Sequence, residues 1–133
     1  MRRGFTAPLH AGAPGRAFLA LRGDAAEYLK LAPFAPLVLR TLTTADQLIA
    51  DIAQTRQRGY AVAAEDVIVG MATIGMPIYD NRRQLRGCVS LGGLTGEVQE
   101  REVELVAALR SGVRSFEGIL AASRLSSQTT NPS

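Results

Sequence analysis

The fold is decided by residues 57–93, which read QRGYAVAAEDVIVGMATIGMPIYDNRRQLRGCVSLGG. The segment predicts a helix end at Gly59, a strand from Tyr60, an acidic turn, and then two longer strands, Met71–Tyr79 and 84–92, joined by a polar turn. Because side chains alternate along a strand, large apolar residues share one face of this pair and small residues share the other. The small-residue face carries Thr73, Gly75, Cys88, Ser90 and Gly92. Such a face leaves room for a small molecule, so we expect a sensing site there.

The composition is that of one folded domain. The chain has 133 residues, of which 47% are hydrophobic and 20% are charged, which is enough to bury a core. The net charge of +3 is scattered along the chain and does not indicate a nucleic-acid-binding surface. Cys88 is the single cysteine, which excludes an intramolecular disulfide and favours the cytoplasm. We expect no contact with a membrane, because no apolar run is long enough to span one.

Helical patterns flank the strands. A first helix is predicted to begin at Pro14, and a second, short one to be capped by Asp24 with Glu27. A third is predicted to begin at Thr43 or Thr44 and to end at Gly59. After the strands, a long amphipathic helix is predicted, with one apolar stripe along it. The stripe consists of Val106, Leu109, Val113, Phe116 and Leu120. The polar segment 123–133 is predicted to be a disordered tail.

Few residues could carry catalysis or hold a metal. His10 is the single histidine and lies far from Cys88 in the sequence, so the two do not form a convincing ligand set. Ser90 lies inside a strand without the spacing of a hydrolase nucleophile elbow. We therefore expect no enzyme, no metal and no cofactor. The amides of residues 12–16 open a helix and could bind an anion, although a structural turn is the preferred interpretation.

Five short segments follow one another in the order of a known family's motifs. They are PLHA at 8–11 with GRAFLA at 15–20, TLT at 41–43, RGYAV at 58–62, GM at 70–71 with IGMPIYD at 74–80, and VSLGG at 89–93. These segments resemble, over residues 4–122, the effector-binding domain of IclR-type bacterial transcriptional regulators, with its motifs PLHAxxxGKAxLA, TIT, RGYAxD, GVxCIAAPVxD and LSVSG. Ordered matches of this kind are more specific than any one motif.

The resemblance implies a GAF-like α+β fold, an antiparallel sheet flanked by helices with a small-molecule pocket on one sheet face. By position, the family's effector contacts correspond to Ala13, Pro14, Ala63, Thr73, Ser90 and Gly92. Only Ser90 keeps the family's usual side chain, and Thr73 keeps a comparable polar one. The missing carboxylate at Ala63 and the missing hydroxyl at Gly92 imply a roomier, less polar pocket. We expect a small organic acid or an aromatic effector, with the larger or more apolar type favoured, or no effector.

The resemblance also bears on the partners of this chain. Family members carry a winged helix-turn-helix and the first sheet strands before the PLHA motif, whereas seven residues precede it here. We therefore expect an N-terminally truncated sensing and oligomerisation domain over residues 1–122, a homo-oligomer without its own DNA-binding domain. Two alternatives remain open. The first is a stand-alone GAF-like interaction module that modulates full-length relatives, and the second is a degenerate fragment without ligand.

We predict that this chain alone does not bind DNA sequence-specifically, because its positive charges are scattered and no reading helix is recognised. Selection of bound duplexes from a random-sequence pool should enrich no motif, and any gel shift should fade as salt is added. A tight, salt-resistant and sequence-selective shift would contradict this prediction.

Overall fold

The structure is a computed structural model that describes residues 8–22 and 25–130. Its elements, in chain order, are α1 (Ala13–Arg22), α2 (Ala25–Leu29), α3 (Ala45–Arg58), β1 (Ala61–Ala64), β2 (Met71–Tyr79), β3 (Leu85–Leu94), α4 (Thr95–Glu100) and α5 (Glu102–Thr130). The predicted cap Asp24 lies outside the described residues. In the part of the chain that the structure describes, no helix is long and apolar enough to cross a membrane.

The three strands form one antiparallel sheet in the order β1, β2, β3. Thr73 of β2 lies opposite Ala63 on one side and Gly92 on the other. Gly75 lies in the same way between Ala61 and Ser90. This register places the predicted small residues side by side on one face, and helices cover both faces of the sheet. The predicted α+β fold, with an antiparallel sheet flanked by helices, is confirmed.

The apolar face of the sheet packs on the two C-terminal helices. Ile74 and Met76 are buried against Val98 of α4 and against Val106 and Val113 of α5. Burial of each such aliphatic side chain stabilises the fold by about 1.5–3 kcal/mol relative to its exposure. This face is therefore the main structural core, as the alternation of side chains predicts.

The small-residue face is covered by α1. Ala13 and Ala17 of this helix are buried against Ala61 and Ala63 of β1. A Cβ atom at Gly75 would lie 2.7 Å from the carbonyl carbon and oxygen of Ala13, which no real packing allows. The absence of a side chain at Gly75 therefore allows the α1 backbone to approach the sheet closely. The expectation that this face leaves room for a small molecule was wrong at this position.

Helix α3 has both of its predicted ends. Thr44 accepts a hydrogen bond from the Gln47 amide, and the Gln47 side chain returns to the Thr44 amide, which completes a capping box. Gly59 ends the helix in the left-handed region, at φ 86°. Leu48 and Ile52 pack with Leu19 and Phe34 in a second core, which fixes α3 against α1.

The C-terminal helix differs from its prediction in three respects. Arg101 leaves helical geometry, at φ −106° and ψ 19°, so the predicted single helix is divided into α4 and α5. Phe116, expected in the apolar stripe, is 53% exposed, and at this turn Glu117 faces the sheet instead, where it accepts a 2.7 Å hydrogen bond from the Tyr79 amide at the end of β2. Helix α5 continues to Thr130 and covers most of the predicted tail, since extending an existing helix costs far less than nucleating one. Residues 131–133 lie outside the described part.

We predict that Gly75→Ala lowers the free energy of unfolding by about 1–3 kcal/mol, because its methyl group would collide with the α1 backbone. Gly87→Ala is the matched control, since a Cβ at Gly87, on β3, has nothing within 4 Å. Urea denaturation of both variants checks this, and equal stabilities of the two would refute the close approach of α1.

Candidate functional site

A cavity of about 360 Å³ lies where α1 begins. One wall comes from residues 8–15, a second from the turn after β1 with Asp66, Val67 and Ile68, and the floor from the small-residue face of the sheet. We call it the α1 cavity. The turn of residues 8–11 is closed by a 3.1 Å hydrogen bond from the Ala11 amide to the Pro8 carbonyl.

Four of the six residues expected at the site line this cavity, namely Pro14, Ala63, Thr73 and Ser90. Ala13 does not line it. As the first residue of α1 it is fully buried against the sheet, and its amide donates a 3.2 Å hydrogen bond to Thr73 Oγ1.

Gly92 lies beyond the edge of the α1 cavity. It pairs with Thr73 across the strands, and a Cβ there would approach the Thr73 methyl group to 3.1 Å. The residue is exposed and borders a smaller depression between β3 and α4. A hydroxyl at this position would therefore touch Thr73 before it touched anything inside the cavity.

A buried ion-pair network stands directly behind the cavity wall. Arg16, which is 4% exposed, places Nη1 2.9 Å from Asp51 Oδ1 of α3 and Nη2 3.0 Å from Asp66 Oδ2. Its Nη2 also approaches the Val62 carbonyl at 3.4 Å. One side chain of α1 thus ties together α3, β1 and the turn that follows β1.

Asp66 also fixes the start of α1. Its Oδ2 accepts a 2.9 Å hydrogen bond from the Gly12 amide, as a carboxylate at the positive end of a helix should. The Ala13 amide is used by Thr73, and Pro14 has no amide hydrogen to offer. The amides of Gly12 and Ala13 are thus held by the chain itself, in agreement with the structural-turn interpretation.

A third segment is attached to the same turn through Thr41. The Thr41 hydroxyl donates a 2.6 Å hydrogen bond to the Asp66 carbonyl. It accepts hydrogen bonds from the amides of Leu37 and Val38, at 3.1 and 3.0 Å. The irregular segment between α2 and α3 is thereby held against the cavity wall.

Burial raises the pKa of Asp51 above its usual range, while the Arg16 guanidinium acts in the opposite direction. Because the folded-state pKa is raised, the stability contributed by this group is fully present below the unfolded-state pKa. It declines as the pH rises through the folded-state pKa. Asp51 Oδ2 has no hydrogen-bond partner in the described structure, which explains why burial dominates.

Sequence reasoning did not identify Arg16 or Asp66 as site residues. One signal for Arg16 was available, because it lies on the same helical face as Ala13, Ala17 and Ala20 and is therefore buried with them. A buried arginine requires acidic partners. Nothing in the sequence indicated which of the carboxylates those would be.

His10 and Cys88 are structural. His10 is 2% exposed, with Nδ1 2.8 Å from the Tyr28 hydroxyl and Nε2 2.7 Å from the Ala35 carbonyl. Burial raises the pKa of the Cys88 thiol, which disfavours the reactive thiolate. Among the described residues, no group of three or more histidine, cysteine or acidic side chains could hold a metal ion.

Comparisons with known proteins give one consistent result. Residues 1–117 match the family model described as the C-terminal part of the bacterial transcriptional regulator IclR. The chain is 35% identical over 123 residues to the glycerol operon regulatory protein of Streptomyces coelicolor, which covers 88% of this chain and 47% of that protein. It spans about half the length of the curated relatives that it matches.

Solved structures share the fold. The Thermotoga maritima IclR superposes with a TM-score of 0.78 at 28% identity, over 90% of this chain and 49% of that one. A double mutant of the PobR inducer-binding domain from Acinetobacter, in complex with 3-hydroxybenzoic acid, gives a TM-score of 0.77 over 87% of this chain and 69% of that one. At 18% identity, the second likeness concerns the fold alone.

We predict that Arg16→Met lowers the free energy of unfolding by about 3–5 kcal/mol, because it leaves Asp51 and Asp66 buried without their cation. Arg16→Lys should recover only part of this loss, since an ammonium group cannot bridge both carboxylates as a guanidinium does.

Arg40→Met is the matched control for Arg16→Met. Arg40 pairs with Glu65 at 3.4 Å, but its side chain is 68% exposed, so the loss should stay below about 1 kcal/mol. Denaturant unfolding measures all three variants. Equal losses for the two methionine variants would show that Arg16 does not organise the site.

Proposed function

The chain belongs to the family of IclR-type bacterial transcriptional regulators, matching their C-terminal domain, and on this premise we propose that it senses a small effector in the α1 cavity. The observation that carries the proposal is the convergence of Pro14, Ala63, Thr73 and Ser90 on one cavity. The family resemblance assigns these same positions to effector contact. A cavity formed by three separate elements is also suited to sensing, since a ligand there contacts all of them.

The size and lining of the cavity support an aromatic effector over a very small acid. Its volume of about 360 Å³ lies toward the lower end of ligand pockets, which span about 300–1,000 Å³. Val67, Ile68 and Met71 contribute apolar surface, and Ala63 offers no polar side chain. The PobR domain, which has the same fold, holds a single-ring aromatic acid. A small organic acid or aromatic effector of that size fits the proposal, and no catalytic step is part of it.

Self-association belongs to the same proposal. Strand β3 is an edge of the described sheet, so its outer backbone groups are available for pairing. On α5, Phe116 and Ile119 are 53% and 68% exposed, and because they are three residues apart they lie on one face of the helix. These features support a homo-oligomer, in which DNA contact belongs to a winged-helix domain and not to this one. A transcription regulator of this kind acts in the cytoplasm.

We predict that single-ring aromatic compounds raise the Tm of this chain and that glyoxylate and pyruvate do not, because only the larger compounds fill the cavity. Ser90→Phe should abolish the shift, since Ser90 is an exposed residue at the cavity wall that can accept a ring without disturbing the core.

Ser111→Phe is the matched control, because it makes the same change at an exposed position of α5 away from the cavity. It should leave the thermal shift intact. Undiminished binding to Ser90→Phe would place the ligand elsewhere, and a shift with glyoxylate or pyruvate alone would overturn the aromatic assignment.

A further inference from the structure

The charge preference of the α1 cavity follows from the fixed charges in its wall. Asp66 is the one charged residue among the described residues that line it. The side chain of Asp66 is only 4% exposed, so solvent screens its charge weakly. From the described residues, a ligand inside the cavity therefore meets a carboxylate and no lysine, arginine or histidine side chain.

The nearby arginine does not reverse this preference. Arg16 is shared between Asp51 and Asp66, so the buried group of three carries two carboxylates for one guanidinium. Both terminal nitrogens of Arg16 are engaged, and the side chain does not line the cavity. Outside, the Arg40 guanidinium is paired with Glu65 and adds no uncompensated positive charge.

Two amides at the positive end of α1 are also taken. The Gly12 amide donates to Asp66, the Ala13 amide donates to Thr73, and Pro14 has no amide hydrogen. Asp66 itself occupies the place that a ligand carboxylate would take at this helix end. A second carboxylate would lose its hydration in an apolar wall and face a like charge as well.

Two hydroxyl groups remain for a polar ligand atom. Thr73 Oγ1 accepts from the Ala13 amide, which leaves its O–H free to donate. Ser90 lies on the exposed side of β3 at the cavity wall and can both donate and accept. A hydroxyl group on an uncharged ligand can form a hydrogen bond with Thr73 or with Ser90. Such a ligand brings no negative charge toward Asp66.

We infer that the α1 cavity selects neutral apolar ligands that carry a hydroxyl group, of the phenol or aromatic-alcohol class, over the corresponding carboxylates. The inference rests on the proposed function, since it names the effector class of the same cavity. It departs from the organic acids that the family resemblance suggests, and the reason is the chain's own carboxylate at the helix start.

The test uses two probes of the same ring size, benzyl alcohol and benzoate, titrated into the full chain by calorimetry at neutral pH. The wild-type protein should bind benzyl alcohol at least about tenfold more tightly than benzoate. Ser90→Lys adds a cation at an exposed wall position and should strengthen benzoate binding by about tenfold or more. Ser90→Met, of similar length without the charge, is the control for added bulk and should gain no affinity for benzoate.

The outcomes separate this inference from the proposed function. Tighter binding of benzoate than of benzyl alcohol by the wild-type protein would overturn the inference and leave the effector cavity standing. Failure of Ser90→Lys to gain benzoate affinity over Ser90→Met would also overturn it, because wall charge would then not set the preference. Binding of neither probe by the wild-type protein would overturn the proposed function and the inference together.

Discussion

The ion pairs of Arg16 are the interaction on which the rest of this structure depends. The charge of a guanidinium inside a protein must be compensated, and here the compensating carboxylates come from α3 and from the turn after β1. Meeting that requirement fixes the position of α1 relative to both. The same turn then caps α1 through the Gly12 amide and holds the 37–41 segment through Thr41. The positions of the segments that form the cavity walls therefore depend on the buried charge of Arg16.

The second constraint is steric. Helix α1 can lie close to the sheet only because Gly75 of β2 and Ala61 and Ala63 of β1, which face the helix, have almost no side-chain volume. Where α1 begins, the helix backbone leaves the sheet and the floor at Thr73 and Ser90 becomes accessible. The small residues thus have two roles on one face: under the body of the helix they allow close packing, and past its start they leave a cavity.

Local patterns explain why much of this fold could be predicted. The bounds of β2, the Thr44 cap and the Gly59 end follow from alternation, side-chain capping and left-handed geometry, all of which act over a few residues. The exposure of Phe116 could not be predicted in the same way. Helical periodicity admits either Phe116 or Glu117 to the stripe after Val113, and only the packed structure places Glu117 against β2, through its hydrogen bond to the Tyr79 amide.

By itself, the sequence determined the elements, the two faces of the sheet and the family to which the chain belongs, because these depend on local pattern and on ordered motifs. Only the tertiary structure decided which small residues are packed and which are open, since Gly75 and Ser90 are neighbours in the sheet yet meet a helix and a cavity respectively. It also decided the charge of the site. Asp66 is 50 residues from Arg16 in the chain, and the electrostatic field in the cavity exists only once folding has brought the two within 3.0 Å.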